Sequence, residues 1–342
     1  MKVAWLPIFL LSLHLYADAQ CPGAEKITTA LAQALDREDA AKSAQLQDEL
    51  EQQHADCSEI HLYRGRVRAL QDDVIGAKSA LQRYVRDSPD DARGYAYLAL
   101  LLMNDQQYQE ADYWASMAMQ KNPENPAALS AHGQMQSLKG ETTNAIDVLE
   151  QAVRRNPEDA EAAVQLGALY NKLNRRGEAA KFFEKAVAVV PGNARAWDYL
   201  ALDEQAMGDP DRAADAFMKA AAANQPGRHY DAFVDYNYGR FLAKVGRLEE
   251  AKKHLDNAVA LAPDVRAVWY EHARVNLQLK SFQQARDDGE KALGLPDAGG
   301  YVLDLQLYAL LEETCRTLGD LESANKYAAL SRKTQVPVQE IR

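Results

Sequence analysis

The chain has 342 residues, with 50 Asp plus Glu against 39 Lys plus Arg and a net charge of -11. That length exceeds one compact core of ordinary size, so two domains or a repeat array are expected. The acidic balance argues against nucleic acid as a partner, whose phosphates demand a basic face, and against polybasic attachment to anionic lipid.

At the start of the chain, Lys2 and an apolar run from Val3 to Tyr16 precede Ala17-Asp18-Ala19, an A-x-A cleavage pattern. Residues 1–19 are therefore predicted to be a secretory signal peptide cut before Gln20, and the chain to be exported, periplasmic or extracellular. The alternative is a retained anchor, but the run is shorter than the ~20 residues of a spanning helix and contains Pro7 and His14. Lipidation at Cys21 is not expected, because Gln20 and Asp18 do not suit the approach to a lipoprotein cysteine. No later stretch is long and apolar enough to span a bilayer.

Beyond residue 20 the dominant feature is a period. Pro89, Pro123, Pro157 and Pro191 recur every 34 residues, and Pro263 follows two repeats plus four residues later. In chain order, a diverged first hairpin over 24–57 holds Leu31, Leu46 and Leu50. The repeat at 58 has Gly65, Ala77 and Leu81, and that at 92 has Tyr95, Leu98, Ala99, Ala111, Ala115 and Ala118. The repeat at 126 has Leu129, Gly133, Gly140, Ala145, Leu149 and Ala152; that at 160 has Leu166, Gly167, Tyr170, Ala179 and Phe183. Trp197, Leu200, Ala201, Gly208, Ala213 and Phe217 mark the repeat at 194, and Tyr238, Gly239, Gly246, Ala251, Leu255 and Ala258 that at 232. The repeat at 266 keeps Trp269, Ala273, Ala285 and Ala292 but puts His272 where Leu is usual, and the repeat at 305 keeps Tyr308, Leu311, Gly319 and Ala324. The domain reading is a signal peptide (1–19), an N-terminal capping hairpin (20–57), an array (58–333) and a C-terminal tail (334–342). Two insertions, Gln225 to Arg228 and Pro296 to Gly300, lengthen loops between repeats.

The physical logic is packing. Large residues at the fourth and seventh places make the apolar stripe of a first helix, and Gly or Ala stands where two helices approach closely. A turn Gly accepts the left-handed backbone that ends the first helix, and Pro closes the second. The pattern resembles the tetratricopeptide-repeat family. That resemblance implies an all-α, right-handed superhelical solenoid of about eight to nine helix hairpins. It also implies a concave groove lined by first helices, which receives peptides or partner helices.

In that family the second, fifth, sixth, ninth, twelfth and thirteenth places face the groove. Here Ser130, Gln134, Val164 and Ala168 would offer small or neutral side chains. Tyr236 and Tyr270 fall at the fifth place and Arg240 and Arg274 at the ninth, with Asn237, Arg195 and Tyr199 extending the strip. Tyr and Arg dominate binding hot spots, and paired guanidinium groups grip carboxylates. The alternative is a solvated face on which each Arg stacks over its own Tyr. The family's carboxylate clamp, with Lys at the fifth place and Asn at the ninth, has no counterpart here.

Cys21 and Cys57 flank the first hairpin, whose antiparallel helices bring its ends together, so a disulfide is expected in an oxidising compartment. Two unpaired surface thiols are the alternative. Cys315, at the eleventh place of its repeat, is expected to be a buried small hydrophobe. Of the histidines, His132 and His272 replace the repeat's Leu and are expected to be satisfied core or groove residues. No zinc spacing, nucleophile elbow, phosphate loop or calcium loop occurs, so neither metal nor cofactor is expected. Glu249-Glu250 and Asp287-Asp288 are expected at exposed places.

These features predict a non-enzymatic scaffold or adaptor that binds a protein or peptide ligand. The alternatives are a helical-solenoid enzyme or accessory subunit acting on envelope glycans, and a purely structural spacer.

Overall fold

The structure, a computed structural model, describes residues 21, 23–225, 231–297 and 302–335. The predicted signal peptide with His14, most of the two inserted loops with His229, and most of the tail lie outside the described residues. Eighteen helices and no strand occur among the described residues. They pair in sequence as antiparallel hairpins and fall into two compact units, divided between Ala162 and Ala163. No helix among the described residues is long and apolar enough to cross a membrane.

In the first unit α1 (Glu25–Asp36) pairs with α2 (Ala40–Gln53), α3 (Ile60–Leu70) with α4 (Val74–Asp87), α5 (Ala92–Asn104) with α6 (Tyr108–Lys121), and α7 (Pro126–Leu138) with α8 (Thr142–Arg155). In the second, α9 (Ala160–Lys172), which begins just before the division, leads to α10 (Arg176–Val189), α11 (Ala194–Met207) pairs with α12 (Pro210–Ala223), and α13 (Ala232–Lys244) with α14 (Leu248–Leu261). There α15 (Arg266–Gln278) pairs with α16 (Phe282–Leu293), and α17 (Asp304–Leu318) with α18 (Leu321–Gln335).

Local chemistry sets where these helices start and stop. Asp39, Asp73, Asn125, Asn193 and Asp209 each accept a backbone N–H of the first turn, satisfying a donor that has no partner inside the helix. Between paired helices the fifteenth place of each repeat, numbered as above, is left-handed. Gly140, Gly208, Gly246 and Gly319 take positive φ without a Cβ penalty, while Glu38, Asp72, Gln106, Asn174 and Lys280 take it at a cost of about 1 kcal/mol each. Eighth-place glycines serve close approach instead. A Cβ on Gly167 would stand 2.7 Å from the Phe183 ring, and one on Gly133 2.6 Å from Leu149 Cγ.

Each unit builds its own apolar interior. Leu31, Leu46, Leu50 and Tyr63 make the first cluster of unit one, followed by Leu62, Leu81, Tyr84 and Leu98 and then an alanine-rich cluster through Met135. In unit two Phe183, Phe217, Leu242 and Leu255 are fully buried, and Leu310, Leu311, Cys315 and Tyr327 close its last hairpin. Cys315 is wholly buried, which pushes its thiol pKa up.

Candidate functional site

Within the second unit α11, α13 and α15 lie side by side, so the groove-facing places of three repeats come together. They line a cleft of about 350 Å³ that includes Asn237, Arg240, Lys244, Glu271 and Arg274, with Leu202 and Phe241 supplying apolar wall. Of the residues read from the sequence, Asn237, Arg240 and Arg274 are therefore gathered in one place. Tyr236 and Tyr270 form its flank: the Arg240 guanidinium lies 5.2 Å from the Tyr236 ring centre, and that of Arg274 lies 5.8 Å from Tyr270. Burial pushes both tyrosine hydroxyls above their ordinary pKa. Each Arg thus stacks over its own Tyr, and the same pairs border the cleft.

Arg195 and Tyr199 do not line the cleft. Arg195 is exposed and pairs with Asp231 at 3.7 Å, while Tyr199 stacks on buried Phe183 with ring centres 5.1 Å apart. Three residues outside the Tyr and Arg strip complete the site. Glu271 is 7% exposed and receives both arginines, Arg274 Nη1 at 2.7 Å and Arg240 Nε at 3.5 Å. Lys244 is exposed at the cleft's C-terminal end. Asp198 is 5% exposed and accepts a hydrogen bond from Asn237 Nδ2 at 2.8 Å, leaving its other oxygen without a partner. Glu271 and Lys244 occupy groove-facing sixth and thirteenth places and were readable there. Asp198 stands at the groove-facing fifth place of its repeat, but its burial appears only in the fold.

Burial pushes the Asp198 carboxyl up to about 8, so it holds its proton at neutral pH. The unfolded chain releases that proton near pH 4. Folding stability should therefore fall as pH rises from about 4 to about 8, and level off above. Asp198→Asn keeps an oxygen for Asn237 and removes the titration. Chemical denaturation is expected to find the variant close to the natural chain at pH 4 and more stable at pH 8; equal stability at both would refute the assignment.

A second cleft of about 350 Å³ lies among α10, α11 and α12, but its charges are consumed internally. Arg212 binds Glu184 and Glu204 at 2.7 Å each, and Lys219 binds Asp215 at 2.7 Å while covering the Trp197 ring.

The first unit fills the corresponding places with its own side chains. Arg66 binds Asp36 at 2.7 Å and stacks 4.4 Å over the Tyr97 ring, and Arg37 reaches Glu158 at 3.8 Å. Ser130 is buried, receives the Gln134 amide at 3.2 Å and hydrogen-bonds Asp159. Ser130 and Gln134 are thus not presented as a neutral groove, and Val164 of the second unit is likewise buried, as an apolar side chain seeks to be. Burial pushes Asp159 up to about 6.

Asp288 corrects a further expectation. It is 1% exposed, held by His272 Nδ1 at 2.9 Å, Asn276 Nδ2 at 2.8 Å and Gln284 Nε2 at 2.7 Å. The neighbouring Asp287 is exposed, as are Glu249 and Glu250. His272 also bonds Asp256 at 2.8 Å, and His254 bonds buried Asp235 at 2.6 Å. Both histidines therefore tie helices together, away from the cleft. Among the described residues no group of three His, Cys, Asp or Glu is arranged to hold a metal ion. The Cys21 and Cys57 sulfurs are bonded, with Cα atoms 4.5 Å apart.

The chain contains tetratricopeptide repeats. Tetratricopeptide-repeat profiles match residues 138–202 and 236–300. No curated protein matches the chain. Among solved structures, a chain of the APC/C hetero-tetramer Cut9–Hcn1 is similar over 86% of this chain at 14% identity and a TM-score of 0.69. The alignment covers 57% of that longer chain, just over half its length. PilF of Pseudomonas aeruginosa aligns over 68% of this chain and 99% of its own, at 16% identity and a TM-score of 0.52. The type IV pilus biogenesis factor PilW aligns over 63% and 95%, at 19% identity and a TM-score of 0.50. At these identities the likeness is one of fold.

Proposed function

We propose that this protein is a non-enzymatic scaffold of an extracytoplasmic compartment, which holds a segment of a partner protein in the cleft of α11, α13 and α15. One observation carries the reading: two arginines, a lysine and two aromatic flanks converge on a cleft whose lining holds a single acidic side chain, Glu271. Arg and Tyr are the side chains from which protein interfaces draw most of their affinity. His254 and His272, which acid–base chemistry could use, are bound to carboxylates of other helices away from the cleft. The predicted signal peptide supports export.

The test is a charge reversal. Arg240→Glu with Arg274→Glu is expected to lower recovery of a crosslinked envelope partner at least tenfold, in a variant that circular dichroism at the assay temperature shows to be folded. Equal recovery would remove the cleft from the function. An alkaline phosphatase fusion joined after residue 60 is expected to be active only if the N-terminus directs export, and an inactive fusion of normal abundance would overturn the compartment.

A further inference from the structure

The cleft carries enough detail to specify its occupant, and this step rests on the partner-binding reading above. Its basic part holds Arg240, Lys244 and Arg274 around the carboxylate of Glu271. Three positive charges against one negative leave two uncompensated, on a chain whose net charge is -11. Glu271, 7% exposed, pairs with both guanidinium groups, one through each carboxylate oxygen. An Arg has five donors, so each keeps several for an incoming group. Asp198, which faces Asn237, contributes no opposing charge at neutral pH.

The same strip is apolar at its other end. Phe233, at the second place of its repeat, is 48% exposed, and its ring meets Tyr236 edge to face with centres 6.1 Å apart. From Phe233 the contacts run unbroken through Tyr236 and Arg240 to Glu271 and Arg274. Phe233 and Arg240 are seven residues apart on one helix, about 10 Å along its axis. One face thus offers an aromatic anchor point and, about 10 Å away, two unmatched cations.

We infer that the cleft takes an internal acidic segment of a partner protein, one bearing two neighbouring carboxylate side chains about 10 Å from an apolar side chain. Two unmatched charges call for a pair of carboxylates rather than one chain terminus. The apolar side chain covers the Phe233 ring, and the carboxylates take the outward donors of Arg240 and Arg274 with Lys244 beside them. Fork-to-fork pairing of guanidinium with carboxylate supplies the direction, and the aromatic contact supplies desolvation.

The experiment is a titration of the full mature chain with dye-labelled, C-terminally amidated 14-residue peptides, read by fluorescence anisotropy. The probes carry a Glu-Glu pair and a Phe set either three residues apart, for an extended segment, or seven apart, for a helix; controls replace Glu by Gln, Glu by Lys, or Phe by Ser. One of the two acidic probes is expected to bind at least tenfold tighter than its Gln control and to weaken as salt rises from 50 to 300 mM. Arg240→Glu with Arg274→Glu should abolish that binding and accept the Lys probe instead, a rescue that a misfolded variant would not give. Phe233→Ser should weaken the acidic probe several-fold without changing its salt dependence. Gln probes that bind as well as Glu probes would overturn the inference, as would a free carboxyl terminus that binds while the amidated pair does not. If the envelope partner is lost on charge reversal yet no acidic probe competes for it, the cleft stands and the acidic class falls. If the partner is unaffected, the cleft reading itself has failed.

Discussion

Replacing His272 with leucine, the residue usual at that place in the repeat, is expected to destabilise the second unit by about 3–5 kcal/mol. The side chain is 5% exposed and bridges two carboxylates on two other helices, Asp256 of α14 and Asp288 of α16. Leucine would restore the apolar stripe of α15 and leave Asp288 almost wholly buried, with Asn276 and Gln284 as its remaining donors. Losing one partner of a buried pair costs more than never having built the pair, because the surviving charge is stranded in a poor solvent. His272→Leu combined with Asp288→Ala should therefore be more stable than His272→Leu alone. Urea unfolding of the two variants at pH 6 checks this, and an unchanged midpoint for the single variant would show that the bridge contributes nothing.

The same bridge makes stability depend on pH. Burial acts to lower the pKa of His272, but the hydrogen bonds and charges of Asp288 and Asp256 together outweigh it and hold the imidazole above its ordinary value. A raised folded value means the contribution is fully present below the unfolded histidine pKa of about 6.5, and is lost as pH rises through the folded one. Only the imidazolium can donate to both carboxylates at once. The natural chain should lose stability across that window, and the double variant should lose less; parallel pH profiles would assign the slope to another group.

Much of this fold could be read before any coordinates, because a 34-residue period forces packing constraints to repeat. The left-handed turn is the clearest case. Glycine marks it at Gly140, Gly208, Gly246 and Gly319, yet the same backbone occurs at Glu38, Asp72, Gln106, Asn174 and Lys280, where nothing local announces it. Stacked hairpins impose the turn geometry, and residue choice only lowers its cost. The cleft was half legible. Place numbers identified Arg240 and Arg274, but a preference for Tyr and Arg passed over Glu271 and Lys244 at places of the same kind. It also admitted Tyr199, which stacks on Phe183 instead. The burial of Asp198 and Asp288 was not legible, although Asp198 stands at a groove-facing fifth place. A carboxylate enters an interior only with donors, and those supplied by other helices, Asn237 for one and His272 and Asn276 for the other, become neighbours only after folding.

Reduction of the Cys21–Cys57 bond, or Cys57→Ser, should cost the first hairpin about 3–4 kcal/mol if constraint of the unfolded chain dominates. The bond closes a loop of sequence separation 36 around α1 and α2. That hairpin has a modest core of Leu31, Leu35, Leu46 and Leu50, and of the later helices it packs chiefly on α3. A terminal repeat has one neighbour where interior repeats have two, so its share of interface energy is smaller and a covalent closure matters more. The effect is expected to be local. Amide exchange within residues 25–53 should accelerate roughly a hundredfold or more on reduction, since ~3 kcal/mol is about two powers of ten, while exchange in the second unit stays unchanged. Intact mass should rise by about 2 Da as the two thiols form. Unchanged exchange across α1 and α2 would show that apolar packing alone holds the cap. A loss spread over the whole chain would show instead that the array unfolds cooperatively from its first hairpin.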